Sequence, residues 1–228
     1  MSSAALTDLL AEVVSCRACP RLVAWREAVA AEKRAAFADQ VYWGRPVPSL
    51  GDPEASIVVL GLAPAAHGGN RTGRMFTGDR SGDWLFASMH RTGLANQPTS
   101  RHADDGLQLL DAWITAAVRC APPANKPRPA ERDNCFGYLV RELPLLTEAR
   151  VIVALGSFAW DAALRAARAL DQPVPRPKPR FTHGAEAELG RYRLIGSFHP
   201  SQQNTFTGKL TEEMLDGVFL RAREVAAL

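Results

Sequence analysis

A glycine-rich stretch over residues 61–79 constrains this chain more than any other part of its sequence, because five of its residues are glycine. It directly follows the apolar residues 57–60, which predict a short buried strand. Residues 81–93 continue with apolar side chains at helical spacing, and Ser81 is the expected N-cap of that helix. Strand, glycine-rich loop and helix in this order build ligand sites at the carboxyl ends of parallel strands. The stretch therefore predicts a binding site.

The loop does not carry the fingerprint of a nucleotide-binding loop. No Gly-Lys-Ser/Thr sequence ends it, as a Walker loop requires, and it lacks the spaced Gly-x-Gly-x-x-Gly of a dinucleotide fold. Arg71 and Arg74 are able to meet anions, Phe76 is an aromatic among small residues, and Asp79 is a carboxylate just before the predicted helix. The plainer alternative is a surface loop that only leads into this helix.

Three further strand candidates are residues 111–118, 149–156 and 191–197, and helical segments separate the four predicted strands. This alternation predicts an α/β protein with a parallel sheet covered by helices on both faces. A chain of 228 residues, 46% hydrophobic and 22% charged, is large enough to bury such a core as one domain over residues 1–228. The basic, proline-rich residues 172–180 predict a stiff solvated linker, with a phosphate-contacting arm as the alternative.

Charge and the absence of targeting segments narrow the class of protein. The net charge is +3, and all but four of the 27 basic residues are arginine, which suits bidentate phosphate contacts. A GC-rich genome gives the same bias, so charge alone supports nucleic acid only weakly. We expect no signal peptide and no membrane span, because no basic region leads into an apolar core and no long apolar run occurs. The expected location is the cytoplasm.

The four cysteines are Cys16, Cys19, Cys120 and Cys135. In the cytoplasm such residues more often bind metal or act in catalysis than form disulfides. Structural zinc sites usually use two close-spaced pairs, whereas a [4Fe–4S] cluster accepts irregular spacing and often has proline beside a ligand, as at Pro20. The pattern favours a [4Fe–4S] cluster over zinc, and four unconnected buried thiols remain the alternative.

A second polar motif begins at His199, where the fourth predicted strand ends. A lone histidine at a strand end is usually structural. Here His199 lies at the same predicted edge of the sheet as the glycine-rich loop, and Pro200 fixes the turn that follows. Two polar loops at one sheet edge predict a cleft.

These motifs together resemble the uracil-DNA glycosylase superfamily, and specifically its family 5, the type B enzymes. The matching segments are residues 61–65, 70–74, 76–79 and 199–201, with the four cysteines in the family's cluster order. The resemblance implies a three-layer α/β/α sandwich with a four-stranded parallel sheet and a mainly structural [4Fe–4S] cluster. It also implies an enzyme that hydrolytically removes a damaged base from DNA and leaves an abasic site.

The resemblance also implies roles for individual residues. Such enzymes flip the nucleotide out of the duplex before reaching its glycosidic bond. Phe76 falls where the family stacks an aromatic on the flipped base, and His199 falls where a hydrogen bond is donated to uracil O2 as charge builds on it. Leu62 replaces the acidic or amide residue of the best-known uracil enzymes. Asp79 is therefore our candidate for orienting water or stabilising the sugar cation.

The substrate-binding candidates are Gly61, Leu62, Ala63, Phe76, Ala116, Asn125 and Ser201. Ala116 stands where related families use an asparagine to pair with uracil, which predicts a broad base range that includes hypoxanthine and xanthine. Asn125 is either a replacement polar contact or a turn residue. Residues 202–208 are expected to probe the minor groove or wedge the duplex.

The expected partner is double-stranded DNA that contains deaminated bases, and the expected state is a monomer. A noncatalytic iron–sulfur DNA-binding protein is the alternative from another class, but it would not need both Asp79 and His199. A cluster enzyme acting on a small molecule is a third reading, weakened by the missing phosphate and dinucleotide fingerprints.

Overall fold

Helices and strands alternate along the chain in the computed structural model, which describes residues 2–227. The helices are α1 (Ser2–Ser15), α2 (Pro20–Glu32), α3 (Gly69–Thr72), α4 (Arg80–Arg91), α5 (Pro129–Glu142), α6 (Ser157–Ala169), α7 (Gln202–Phe206) and α8 (Glu212–Ala226). The strands are β1 (Leu50–Gly51), β2 (Ile57–Gly61), β3 (Ala112–Ala116), β4 (Val151–Leu155), β5 (Glu186–Leu189) and β6 (Tyr192–Ser197). Short 3-10 turns lie at Ala35–Phe37, Pro123–Asn125 and Leu143–Leu145.

The strands form one mixed sheet in the order β1-β3-β2-β4-β6-β5. The four predicted strands β2, β3, β4 and β6 pair in parallel at its centre. The prediction of a sheet with only four parallel strands is wrong, because β1 and β5 add antiparallel edges and make six strands within the described residues. Neither edge strand has an apolar run: β1 is two residues long, and β5 alternates glutamate with buried Ala187 and Leu189.

Helices cover both faces of the sheet and give three α/β/α layers. On one face Trp160 of α6 and Leu139 of α5 pack with strand residues in one apolar cluster. On the other face Phe86 of α4 and Phe219 of α8 pack in a second cluster. Strands β2, β3 and β4 are buried along their whole length, as expected for central parallel strands.

The proline-rich residues 172–180 contain no helix or strand. They lie along α6, where the Pro179 carbonyl accepts a hydrogen bond from Trp160 Nε1 at 3.1 Å. Lys178 Nζ and Asp161 Oδ1 form an ion pair at 2.7 Å beside it. The segment is therefore anchored to the sandwich at these two points. Among residues 2–227 no helix has the length and apolar character needed to cross a lipid bilayer.

The order of the strands in the sheet predicts where a ligand site lies. β2 lies in the middle of the parallel strands, with β3 on one side and β4 on the other. The chain thus reverses its direction of travel across the sheet at β2, and ligands of open α/β sheets bind outside the carboxyl ends of strands at such a point. β2 ends at Gly61 and β6 ends at Ser197, so both polar loops leave this same edge.

Candidate active site

The two loops enclose a cavity of about 200 Å³ at the carboxyl edge of the sheet. Its walls include seven of the nine residues predicted to act in catalysis or substrate binding: Leu62, Ala63, Phe76, Asp79, Asn125, His199 and Ser201. Gly61 and Ala116 are not among the lining residues; they pair with each other at the ends of β2 and β3. Both predicted catalytic side chains thus lie in one cavity.

Phe76 is held in an unusual backbone conformation beside the end of β2. Its φ is +52°, in the left-handed region that bulky residues rarely adopt. Its ring fits there because Gly61 has no side chain: a Cβ on Gly61 would lie 2.8 Å from Phe76 Cζ. The ring centroid lies 6.1 Å from that of His199, with 34° between the planes. The strained turn therefore fixes an aromatic ring across the cavity from the histidine.

Asp79 is the N-cap of α4, and the prediction that Ser81 caps this helix is wrong. Asp79 has extended backbone angles, and its Oδ1 accepts a hydrogen bond from the Gly82 N–H at 3.1 Å. Ser81 already lies in the first helical turn and lines the cavity. Either side chain is a good N-cap, so sequence alone does not separate them.

The charge state of Asp79 reflects two opposing effects. Burial raises the pKa of this carboxyl, while hydrogen bonds from the backbone N–H groups of Gly82 and Ser81 partly oppose the rise. Gly68 closes over the carboxylate from the other side, since a Cβ there would lie 1.9 Å from Oδ2. The result is a fixed carboxylate with reduced hydration, which suits both proton acceptance and interaction with a developing positive charge.

His199 presents a neutral imidazole at physiological pH. Burial lowers its pKa to about 4. The Asn204 side-chain amide donates to the His199 carbonyl at 2.9 Å and anchors the turn after β6. A neutral imidazole has one N–H donor, and it offers that donor without placing a full charge in the cavity.

Asn125 is brought to the cavity by a turn with two left-handed residues. Ala124 has φ +53° and Asn125 has φ +56°. Asparagine tolerates this conformation better than most residues. Its exposed side chain lies at the cavity, and within the described part of the chain it makes no hydrogen bond. The amide is therefore free to contact a ligand.

Arg71 and Arg74, which the sequence analysis named as able to meet anions, instead bind groups of the protein itself. Arg74 Nη2 pairs with Asp105 Oδ1 at 2.6 Å. Arg71 donates to the carbonyls of His67 and Gly78, and its guanidinium lies 4.0 Å from the Phe37 ring centroid. Both arginines belong to the glycine-rich loop, and their contacts hold its backbone in place.

The segment after Ser201 forms the short helix α7 at the surface. Phe206 at its end is 68% exposed. The Arg80 guanidinium lies 5.0 Å from the centre of the Phe206 ring, so this contact joins the start of α4 to α7. A duplex-probing role for residues 202–208 stays a prediction.

The four cysteines line a second cavity, formed by the α1–α2 connection, the segment after β3 and helix α5. All four are free thiols. Burial raises the pKa of Cys135 to about 12. Within residues 2–227 no three His, Cys, Asp or Glu side chains are grouped to hold a metal ion. A [4Fe–4S] cluster is bound at four corners, so its ligands surround it and do not converge on one point.

The surroundings of these thiols fit an anionic group. Arg26 donates to Cys120 Sγ at 2.9 Å, and the Arg119 backbone N–H donates to Cys135 Sγ at 3.2 Å. The Nε of buried Arg26 has no hydrogen-bond partner in the described structure. Four thiols and an incompletely satisfied cation around one cavity match the donor set of an iron–sulfur cluster.

Sequence reasoning missed four residues of the first cavity: Pro64, Ala65, Met75 and Ser81. Pro64 and Ala65 follow Leu62 and Ala63 in the loop, so loop position was the available signal. Met75 adjoins Phe76, and its side chain is buried in the core below the cavity. The sequence pattern indicates Ser81 only as a helix cap.

Comparison with known proteins gives one consistent family. A family model described as the uracil DNA glycosylase superfamily matches residues 48–222. A protein of Mycobacterium bovis named type-5 uracil-DNA glycosylase is 57% identical over 225 residues, which cover 98% of this chain and 82% of that protein. The protein of the same name from Thermus thermophilus is 50% identical over 217 residues, or 95% of this chain and 96% of the relative.

A more distant relative is named type-4 uracil-DNA glycosylase. It comes from Archaeoglobus fulgidus and is 31% identical over 156 residues, which cover 68% of this chain and 70% of that protein. Similarity to type-5 proteins is thus both higher and more extensive than similarity to this type-4 protein.

Proposed function

The chain belongs to the uracil-DNA glycosylase superfamily and, within it, to the type-5 uracil-DNA glycosylases, and on this basis we propose that it excises uracil from DNA in base excision repair. The protein is a DNA glycosylase, a hydrolase of N-glycosyl bonds. The observation that carries the proposal is that Asp79, His199 and Phe76 line one cavity at the carboxyl edge of the sheet. A DNA-binding protein without catalysis has no need for this set.

The cavity supports a division of roles between these residues. Phe76 offers a fixed ring on which a flipped base stacks. The neutral His199 donates a hydrogen bond to a base carbonyl, where negative charge grows as the glycosidic bond lengthens. Such a donor stabilises the transition state more than the bound substrate, which is what lowers the barrier.

Asp79 acts at the sugar. Its carboxylate either orients the attacking water or stabilises the positive charge that develops on the deoxyribose. Its fixed position between Gly68 and the first turn of α4 serves both roles. A general base contributes about 10²–10⁴-fold to a rate.

The wider base range and the duplex preference belong to the same proposal. Apart from Asp79 and His199, the polar side chains of the cavity are Ser81, Asn125 and Ser201. Ser81 and Ser201 are only half-buried and Asn125 is exposed, whereas strong rejection of a wrong base needs buried hydrogen-bonding groups. We therefore extend the substrates to hypoxanthine and xanthine in double-stranded DNA.

We further propose that Cys16, Cys19, Cys120 and Cys135 bind a [4Fe–4S] cluster. When bound, such a group would join the α1–α2 connection to the segment after β3 and to α5. Its role is structural, because the cysteine cavity and the base cavity have no lining residue in common.

The test is single-turnover base release from duplex oligonucleotides that carry uracil, hypoxanthine or xanthine, with uracil in a single strand for comparison. Asp79→Asn removes the proposed catalytic charge. Asp83→Asn is the matched control, because Asp83 is an exposed carboxylate in the same helical turn that does not line the base cavity. We expect release by the wild type and by Asp83→Asn, and strongly slowed release by Asp79→Asn. Duplex binding without release of any base would favour the noncatalytic alternative.

A further inference from the structure

We propose that Arg26 is the counter-charge of the cysteine site: its guanidinium stabilises the thiolate-bound cluster and raises the cluster's reduction potential. The inference rests on the proposed [4Fe–4S] group and assigns a role to a residue outside its four ligands. It follows from the position of Arg26, from its hydrogen bonds and from the absence of a carboxylate partner.

Arg26 lies on the face of α2 that lines the cysteine cavity. Cys19 is the N-cap of this helix, and Leu22, Val23 and Arg26 follow it at helical spacing. Two turns of helix therefore separate a proposed ligand from the arginine on one face. Arg26 is only 2% exposed, so water does not neutralise its charge.

Among the described residues Arg26 is a buried arginine with neither a carboxylate partner nor a full set of hydrogen bonds: buried Arg71 also lacks a carboxylate, but each of its three guanidinium nitrogens donates to a neutral oxygen. Arg119, which also lines the cysteine cavity, pairs with Glu142, and Arg74 pairs with Asp105. The acidic neighbour Glu27 pairs with Arg17 and is exposed to solvent. A buried charge without an opposite charge is strongly unfavourable. An anionic group in the cavity is what balances Arg26.

The contacts of Arg26 point at the proposed ligands. Nη1 donates to Cys120 Sγ at 2.9 Å and Nη2 donates to the Cys16 carbonyl at 3.1 Å. Nε is buried without a partner. The backbone is held independently, because Asn70 Nδ2 donates to the Arg26 carbonyl at 3.2 Å. The guanidinium thus bridges two of the four ligand segments on a fixed helix.

A cation in this position has two consequences. Hydrogen bonds to cluster sulfurs and local positive charge favour the more negative, reduced form, which raises the reduction potential. The same interactions oppose loss of the cluster, because a hydrogen bond to a charged group is stronger than a neutral one. The first consequence depends on charge, and a purely structural residue would not produce it.

The test compares Arg26→Gln, Arg26→Lys and Arg17→Gln in the iron-loaded protein purified without oxygen. Arg17→Gln is the matched control: it removes the same charge between two proposed ligands, but from a side chain that is 63% exposed. The measurements are iron content, the midpoint potential by protein-film voltammetry, and the rate at which visible cluster absorbance is lost in the presence of a chelator. None of them depends on base release.

We expect Arg26→Gln to lower the midpoint potential and to lose the cluster about tenfold faster, the effect of one hydrogen bond to a charged group. Arg26→Lys should keep a potential near that of the wild type, because it keeps the charge. Arg17→Gln should match the wild type in iron content, in midpoint potential and in the rate of cluster loss.

Three results would overturn the inference. If Arg26→Gln had the same midpoint potential as the wild type, Arg26 would have only a structural role. Arg26→Lys with a potential as low as that of Arg26→Gln would show that charge is not the cause. A wild-type protein that holds no iron and shows no cluster absorbance would overturn both this inference and the proposed cluster. Unaltered base release in all variants would still leave the glycosylase proposal standing.

Discussion

The Asp79 carboxylate packs directly against Gly68: a Cβ atom on Gly68 would lie 1.9 Å from Asp79 Oδ2. Gly68 belongs to the loop after β2, and Asp79 caps α4. The Asp79 carboxylate therefore occupies the space that a side chain on Gly68 would fill. The position of Asp79 depends on this glycine as much as on its own helix.

We expect Gly68→Ala to displace the Asp79 carboxylate and slow base release without removing any functional side chain. Displacement by about 1 Å is enough to cost roughly 10²-fold in rate. Single-turnover release of uracil measures the effect. Gly217→Ala in α8 is the control, because a Cβ at that glycine meets nothing within 4 Å. Equal rates of uracil release for Gly68→Ala and Gly217→Ala would show that activity does not depend on the close contact between Gly68 and the Asp79 carboxylate.

The cap and the charge of Asp79 should be separable by substitution. Asparagine and serine cap helices about as well as aspartate, whereas alanine costs about 1 kcal/mol. We therefore expect Asp79→Asn and Asp79→Ser to unfold like the wild type, and Asp79→Ala to unfold at lower denaturant concentration. All three should release base slowly. Slow release by Asp79→Ala alone would mean that the cap, and not the charge, is what activity requires.

The depressed pKa of His199 predicts how stability depends on pH. Burial lowers this pKa to about 4, whereas an unfolded histidine titrates near 6.5. Between these values the unfolded chain binds more protons, so stability falls as pH falls from about 6.5 towards 4. Above pH 7 the imidazole is neutral in both states and adds no slope.

Denaturant unfolding of the wild type and His199→Gln at pH 7 and pH 5 measures this effect. We expect the advantage of the wild type over the variant to shrink at pH 5 by on the order of 1–2 kcal/mol. The half-buried His67 and His183 also have lowered pKa values, and the comparison between wild type and variant cancels their contribution. A difference that does not change with pH would contradict a buried neutral His199.

Asn125 should contribute through its amide and not only through its turn. Asn125→Gly keeps the left-handed backbone and removes the side chain, whereas Asn125→Ala also strains the turn by roughly 1 kcal/mol. We expect both variants to release uracil about tenfold more slowly, the effect of one lost hydrogen bond, and only Asn125→Ala to lose stability. Full activity of Asn125→Gly would make Asn125 a turn residue.

Apolar runs were enough to predict the parallel centre of the fold. Residues 57–60 and 151–155 are recognisable because strands buried on both faces need continuous apolar sequence. The edges could not be predicted in this way. Edge strand β5 buries only alternate residues and fills the rest with glutamate, and β1 is too short to carry a pattern.

The predicted site residues that lie on loops line the cavity, whereas those inside the sheet, Gly61 and Ala116, do not. His199 and Asp79 follow or precede regular elements, so topology alone brings them together. Ala116 lies within the fully buried strand β3. It does not line the cavity because of the register in which β3 pairs with β2. Such a register is a tertiary property that no local pattern reports.

The central position of β2 predicts that β2 and α7, which adjoin the two loops of the cavity, differ in their rates of amide hydrogen exchange. β2 has a hydrogen-bonded neighbour on each side and is fully buried, so its amides should exchange only when the whole protein unfolds. Helix α7 is five residues long and has no buried residue, so its amides should exchange through local opening. The segment after Ser201 is therefore the one expected to move aside for a nucleotide, while strand β2, which carries the glycine-rich loop, stays in place.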